Sequence, residues 1–199
     1  MGKLFIVMGK SASGKDAVYR NLLQDKSLDL KKIVLYTTRP MRQKEEDGKQ
    51  YFFVDEDFYQ EKAKAGKVIE KRDYHTQLGL WRYFTADDGQ IDLAAGNYLM
   101  IGTVDAYVSM KEYFGEENVV PLLIDTDDGI RLERALKRER RQEVPRYDEM
   151  CRRYLADTAD YSPERVAAAG IETLFDNNDT IESCIKEVTA CIHFSIRTG

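Results

Sequence analysis

"VMGKSASGKDAV", residues 7–18, decides how the chain is read. Gly9 and Gly14 bracket a short polar turn, Lys15 follows, and the apolar run Leu4–Met8 leads in. Glycines at those positions let the backbone turn consecutive N–H groups inward, and a helix beginning at Lys15 points the positive end of its dipole at the same space. Lys15 adds a full charge. A strand, a glycine turn and a helix start in this order make a phosphate-binding loop of Gly9, Lys10, Ser11, Ala12, Ser13, Gly14 and Lys15. Asp16 is the oddity, a carboxylate at the position where such loops carry a Ser or Thr hydroxyl.

Composition narrows the setting. A chain of 199 residues suits one globular domain with small inserts and can bury a real core. An apolar share of 43%, a charged share of 33%, and only 13 Gly and 4 Pro exclude disordered and fibrous classes. A net charge of -5 and a pI near 5.3 give no global attraction to nucleic acid or anionic membrane, so a bound anion must be met by local positive charge. Leu4–Met8 is too short for a signal-peptide core or a membrane span, and Ile6 stands where a myristoylation signal needs Ser or Thr. Cys151, Cys184 and Cys191 form no Cys-x-x-Cys pair and fit the reduced thiols of a cytoplasmic protein. His75 and His193 are too far apart in sequence for a structural zinc site.

Short apolar runs alternate with amphipathic stretches. The runs predict strands at Leu4–Met8, Ile33–Tyr36, Tyr98–Gly102, Val119–Ile124 and Glu172–Asp176, the first and fourth continuous enough to be buried parallel strands. Helices are expected at Lys15–Gln24, Val104–Phe114, Thr126–Arg141, Arg146–Asp160 and Thr180–Phe194. Strand and helix in repetition predict an α/β fold, a parallel sheet core flanked by helices on both faces.

Two segments break the alternation. Residues 37–88 are rich in aromatics and turns and are expected to form a small inserted subdomain, leaving residues 1–36 and 89–199 as the core. Residues 137–150, "KRERRQEVPRYDEM", concentrate arginine and interrupt a helix at Pro145. A solvated helix face and a set of phosphate contacts both account for that charge.

With these residues in view, the chain resembles the guanylate kinase family. "GKSASGKD" is similar to that family's Gly-Pro-Ser-Gly-x-Gly-Lys-Ser/Thr loop, with Lys10 in place of the Pro. "YTTRPMRQKEEDGKQYFFV" is similar to its Thr-Thr-Arg-x-Pro-Arg…Gly-x-x-Tyr-Phe-Phe-Val segment. The resemblance weakens after about residue 95. It implies a P-loop kinase fold, a monophosphate-binding insert over 37–88, a lid within 137–150, and magnesium-dependent transfer of the ATP γ-phosphoryl group to GMP or dGMP. The implied partners are ATP and GMP, with Mg²⁺ as cofactor, and neither nucleic acid nor membrane.

Carried over by position, Arg39, Arg42 and Tyr51 match residues that grip the GMP phosphate, a task suited to guanidinium forks and a phenol. Glu70 matches the acid that accepts from guanine N1–H and the 2-amino group. "WRYFT" is similar to the family's Tyr-Tyr-Gly-Thr, which puts Tyr83 on the phosphate and Thr85 near the base. Arg153 matches a lid arginine, and Arg138, Arg140 and Arg141 compete for the other lid position, with Arg140 taken for it. Lys15, Arg39, Arg140 and Arg153 form the implied catalytic set, since phosphoryl transfer runs on positioning and electrostatics. Asn177 resembles a residue near the adenine, and an ordinary turn asparagine accounts for it equally.

Four departures stand out. Leu35 occupies the place of a base-reading Ser. "YLMIGTVDAY" lacks the Asp-x-Asp that ends the family's strand, offering Gly102, Thr103 and then Asp105. An insertion around "HTQLGLW" alters the wall of the base pocket. Asp16 replaces the hydroxyl, either as a magnesium ligand or as an acid favouring the helix start. Two further readings follow from them: a P-loop kinase for another small phosphorylated or hydroxylated acceptor, favoured by Leu35 and the insertion, or a non-catalytic guanylate-kinase-like module. Modules of the last kind characteristically degrade the glycine loop, which here is intact apart from Asp16.

Overall fold

The computed structural model describes residues 1–76 and 79–198. Its strands are β1 (Leu4–Met8), β2 (Leu30–Lys32), β3 (Tyr36–Thr37), β4 (Phe52–Phe53), β5 (Val68–Thr76), β6 (Gly79–Ala86), β7 (Asn97–Ile101), β8 (Val119–Asp125) and β9 (Leu174–Asp176). Its α-helices are α1 (Lys15–Gln24), α2 (Glu56–Lys64), α3 (Val104–Phe114), α4 (Asp128–Glu139), α5 (Tyr147–Asp160), α6 (Pro163–Ala168) and α7 (Ile181–Thr198).

β1 is apolar at every position because it is the middle strand of a sheet covered on both faces. The order is β2-β7-β1-β8-β9, and each of these pairings is parallel. Strand alternation sends Leu4, Ile6 and Met8 to one side, against Val104, Tyr107 and Met110 of α3. Phe5 and Val7 go to the other, against Val18 and Leu22 of α1 and Cys184, Val188 and Ile192 of α7. Each large side chain buried this way contributes about 1.5–3 kcal/mol. The result is a rigid sheet whose β1 ends directly in the glycine loop.

A second sheet, β4-β3-β6-β5, is antiparallel except for the β3–β4 pair. α2 covers one face through Tyr59, which meets Phe84 edge-on at 5.1 Å, while Tyr36 stacks on Phe84 at 5.2 Å. α2 starts where Asp55 accepts a hydrogen bond from the Phe58 N–H at 2.8 Å. α3 packs on β5 and so ties the two sheets together.

The expected strand at Ile33–Tyr36 is corrected. The chain is paired at Leu30–Lys32 and again at Tyr36–Thr37, and 33–35 pass between the two sheets. There the Gln90 side-chain amide does the work of a neighbouring strand, accepting from the Val34 N–H and donating to the Val34 carbonyl. α4 begins at Asp128 rather than Thr126, because the Asp127 carboxylate caps the Gly129 and Ile130 N–H groups. It ends at Glu139, well before Pro145. At the end of β7, Thr103 caps α3 by accepting from the Ala106 N–H at 3.2 Å, and Asp105 is ion-paired with Arg165. The insertion around His75–Trp81 falls partly on residues 77 and 78, which lie outside the described residues. Among the described residues no helix is long and apolar enough to cross a membrane.

Candidate active site

The glycine loop leaves β1 with Gly9 at φ 150°, passes through Ala12 at φ 64°, and enters α1 at Gly14 with φ 93°. Close approach explains the glycines. A Cβ on Gly9 would lie 2.5 Å from the Ile124 carbonyl oxygen, and one on Gly14 would lie 2.2 Å from Asn177 Nδ2. Ala12 holds a left-handed conformation that a non-glycine residue adopts only when its neighbours enforce it.

The enforcement comes from both sides. Beneath the loop, the Ser13 carbonyl accepts from Asn177 Nδ2 at 2.7 Å and from Thr126 Oγ1 at 3.1 Å. Asn177 is thus a buried prop of the loop. Beside it, the Ser11 N–H donates to Asp157 Oδ2 at 2.7 Å, and the Ser11 carbonyl accepts from Arg131 Nε at 3.0 Å. Arg131 is almost wholly buried, pairs with Asp157 at 2.9 Å and with Asp128, and lies over the Tyr154 ring at 4.8 Å. Tyr161 Oη accepts from the Gly9 N–H at 3.3 Å, and Lys10 pairs with Asp128 at 3.2 Å. Burial pushes the Tyr161 phenol up to about 12.

The mouth of the loop is open. The first N–H groups of α1 have no acceptor within the helix, and neither the Lys15 ammonium nor the exposed Asp16 carboxylate bonds to a described residue. No group of three or more His, Cys, Asp or Glu side chains among the described residues is arranged to hold a metal. Asp16 would therefore be a lone protein ligand, which suits Mg²⁺, an ion that keeps several waters and shares phosphate oxygens.

The second sheet gathers the residues expected to bind the acceptor. Arg39 is buried, donates from Nε to Tyr83 Oη at 3.1 Å, and lies over the Tyr51 and Phe53 rings at 5.2 and 5.3 Å. Its fork closes on Glu45, Nη1 to Oε2 at 2.7 Å and Nη2 to Oε1 at 2.5 Å. Glu45 also accepts from the Arg42 N–H at 2.8 Å, and the Arg39 guanidinium drives its carboxyl down to about 2. The Arg42 side chain is exposed. Glu70 is buried and accepts from Thr85 Oγ1 at 3.0 Å; burial raises its carboxyl, with Arg72 and Thr85 pulling the other way. The Leu35 side chain packs against the core and offers no hydrogen bond.

The arginines expected in the lid separate. Arg140 is exposed at the end of α4, and Arg153 is tied to Glu149 at 2.6 Å on the exposed face of α5. Arg138 and Arg141 instead line a cavity of about 400 Å³ with Arg134, Lys137 and Gln142. Arg134 reaches from that cavity to the Asn177 carbonyl at 3.0 Å, which places the basic face of α4 beside the loop.

Several residues of the site are not announced by the sequence, among them Glu45, Arg131 and Asp157. Glu45 carried a signal, an acid in the same turn as two arginines. Arg131 and Asp157 carried none, since they meet only when α4 and α5 pack.

The model of the family described as guanylate kinase matches residues 1–79. A guanylate kinase of Nitrosomonas europaea is 37% identical over 78 residues, 39% of this chain and 38% of that protein. One of Mycoplasma mobile is 30% identical over 60% of this chain and 58% of its own length, and one of Porphyromonas gingivalis is 20% identical over 96% and 97%. The matched stretch thus spans well under two thirds of the first of these relatives. A crystal structure of guanylate kinase from Anaplasma phagocytophilum has a TM-score of 0.62 at 20% identity, covering 98% of this chain and 86% of that one. Residues 1–79 are thus similar in sequence to the guanylate kinase family, and the whole chain shares the fold of a guanylate kinase structure.

Proposed function

We propose that this protein is a nucleoside monophosphate kinase of the guanylate kinase type, transferring the ATP γ-phosphoryl group to GMP or dGMP to give ADP and GDP or dGDP. The observation that supports the reading is the pairing of an open glycine loop with a second sheet that carries a buried arginine among tyrosines (Arg39, Tyr51, Tyr83) and a buried carboxylate (Glu70).

In this reading the N–H groups of Ala12, Gly14 and Lys15, and the Lys15 ammonium, hold the donor phosphates, while those of Gly9 and Ser11 are kept by Tyr161 and Asp157. Asp16 would hold a magnesium ion, which would supply neutralisation of the phosphate charge. Arg39 and Arg42 bind the acceptor phosphate, with Glu45 keeping the Arg39 fork in one orientation until the dianion arrives. Glu70 and Thr85 bind the base. Residues 37–88 act as the acceptor insert, and residues 137–150 as a lid that brings arginine over the transferring group and excludes water. Arg138 and Arg141 suit that task better than Arg140, because they face the cavity beside the loop. The three unpaired cysteines fit a reducing cytoplasmic compartment.

The decisive experiment is a coupled assay with ATP, magnesium and GMP, dGMP, AMP, CMP and UMP. Preferential turnover of GMP and dGMP is expected. Equal or faster turnover of AMP removes the guanine assignment, and no turnover of any of them favours a binding module.

A further inference from the structure

β5 and β6 face each other with Glu70 opposite Thr85, Arg72 opposite Tyr83 and Tyr74 opposite Trp81. Residues two apart on a strand share a face, so these six line one surface. At one position Thr85 donates to Glu70, and at the next Tyr83 meets Arg39 of the phosphate grip. Arg72 sits between the buried acid and that grip.

Its Nε lies 3.5 Å from Glu70 Oε2, an ion-pair distance that makes no hydrogen bond. Both atoms are shut off from solvent, and neither has a hydrogen-bond partner. Buried polar atoms are paired in almost every folded protein. Here a donor and an acceptor stand unpaired side by side, in the surface that runs to the phosphate grip.

We propose that Arg72 determines base specificity, and that Arg72 Nε–H and Glu70 Oε2 together bind a lactam edge, a ring carbonyl next to a ring N–H. The inference rests on the monophosphate kinase reading and deepens it. The ring N–H donates to the carboxylate and the carbonyl accepts from the guanidinium, so each orphan gains its partner in one contact. A 6-oxopurine presents that edge. Adenine presents the reverse, a ring nitrogen toward the carboxylate and an amine toward the guanidinium, so both contacts become repulsive. Leu35 supplies no competing donor. Arg72 also provides the counter-charge that a carboxylate as buried as Glu70 requires.

The test compares kcat/KM for GMP, IMP and AMP in the parent, Arg72→Ala and Arg72→Gln, with GMP binding by calorimetry and Trp81 fluorescence as a check on the second sheet. Arg72→Ala is expected to lower kcat/KM for GMP and IMP alike by roughly ten- to a hundredfold, mainly through KM, with AMP unchanged or improved. Arg72→Gln, which keeps an N–H donor, recovers part of the loss. A fall of equal size for all three nucleotides makes Arg72 a phosphate contact and overturns the inference, as does a GMP-to-AMP ratio that stays at the parent value. A parent that phosphorylates no monophosphate removes the kinase reading itself, and Arg72 is then judged by whether Arg72→Ala weakens GMP over AMP in calorimetry.

Discussion

The carboxylate of Asp157, near the end of α5, accepts a hydrogen bond from the backbone N–H of Ser11 in the glycine loop at 2.7 Å. Arg131 completes the arrangement by holding the Ser11 carbonyl and the same carboxylate oxygen, so one residue is clamped through both of its backbone polar groups by two helices. Ala12, the next residue, is a non-glycine residue held in the left-handed region. The clamp thus connects the helix that follows the proposed lid to the conformation of the phosphate-binding loop.

Arg131→Ala should be costly in two ways. It leaves Asp157 and Asp128 without their shared cation, and breaking a buried pair on one side costs about 3 kcal/mol or more. It also frees the Ser11 carbonyl. Asp157→Ala removes one acceptor and should cost less, about 1–2 kcal/mol. Urea unfolding with ATP titration checks both. The expected order is parent above Asp157→Ala above Arg131→Ala in stability, with weaker ATP binding in each variant. Unchanged ATP affinity in folded Asp157→Ala would mean that the clamp does not shape the loop.

The Arg39–Glu45 pair makes two predictions. Arg39→Ala should lower kcat/KM for GMP by about a hundredfold or more, and Arg39→Lys should restore only part, because a point charge cannot replace a bidentate fork. The second concerns acid. Glu45 is held at about 2 against an ordinary 4.5, so its contribution to stability is complete above 4.5 and is lost as pH falls from there to about 2. The single tryptophan, Trp81, sits in β6 and reports on this sheet. Melting followed by its fluorescence should show Glu45→Gln less stable than the parent at pH 7 and equal to it near pH 2. A gap that persists undiminished at pH 2 would place the effect of Glu45 elsewhere than in this ion pair.

Asn177 and Gly14 form a contact that admits no side chain between them. Gly14→Ala puts a methyl group 2.2 Å from Asn177 Nδ2 in a backbone region that alanine resists, and it should abolish ATP binding. Asn177→Ala leaves Thr126 as the remaining side-chain donor to the Ser13 carbonyl and should raise the KM for ATP several-fold with little change for GMP. If Asn177→Ala altered the preference for ATP over other nucleoside triphosphates and left the KM for ATP alone, the residue would be reading the base and not supporting the loop.

Much of this architecture is legible in the sequence because one residue's neighbours decide its place. β1 is apolar at every position and is followed by glycines and Lys15, and α1 and α3 fall at the ranges their periodicity predicts. The misplaced strand at Ile33–Tyr36 shows where such reading stops. The backbone of Val34 is satisfied by the side chain of Gln90, 56 residues away, and no local pattern announces that bond. The same holds for Arg131 and Asp157, which lie 26 residues apart on separate helices. Glu70 and Thr85 were legible as separate candidates, but Arg72 between them was not, because only the β5–β6 register brings it to the same face.

Asp16 carries the last prediction. It is exposed in the first turn of α1, beside Lys15, with no partner among the described residues. Two roles fit that position. As an acid at a helix start it would add about 0.3–1 kcal/mol through the helix dipole. As a hard oxygen ligand it would help hold magnesium against the donor phosphates, offsetting the repulsion that a bare carboxylate would otherwise exert on them. The roles separate on metal dependence. If Asp16 is a ligand, Asp16→Ala should need more free Mg²⁺ for half-maximal rate and bind ATP more weakly with magnesium, while Asp16→Ser keeps much of the activity. Without magnesium the order for ATP should invert, Asp16→Ala binding it more tightly than the parent because the repulsion is gone. Rate measured against free Mg²⁺, together with ATP calorimetry in chelator, decides between them: superimposable magnesium curves for the parent and Asp16→Ala would leave Asp16 as a helix-start residue alone.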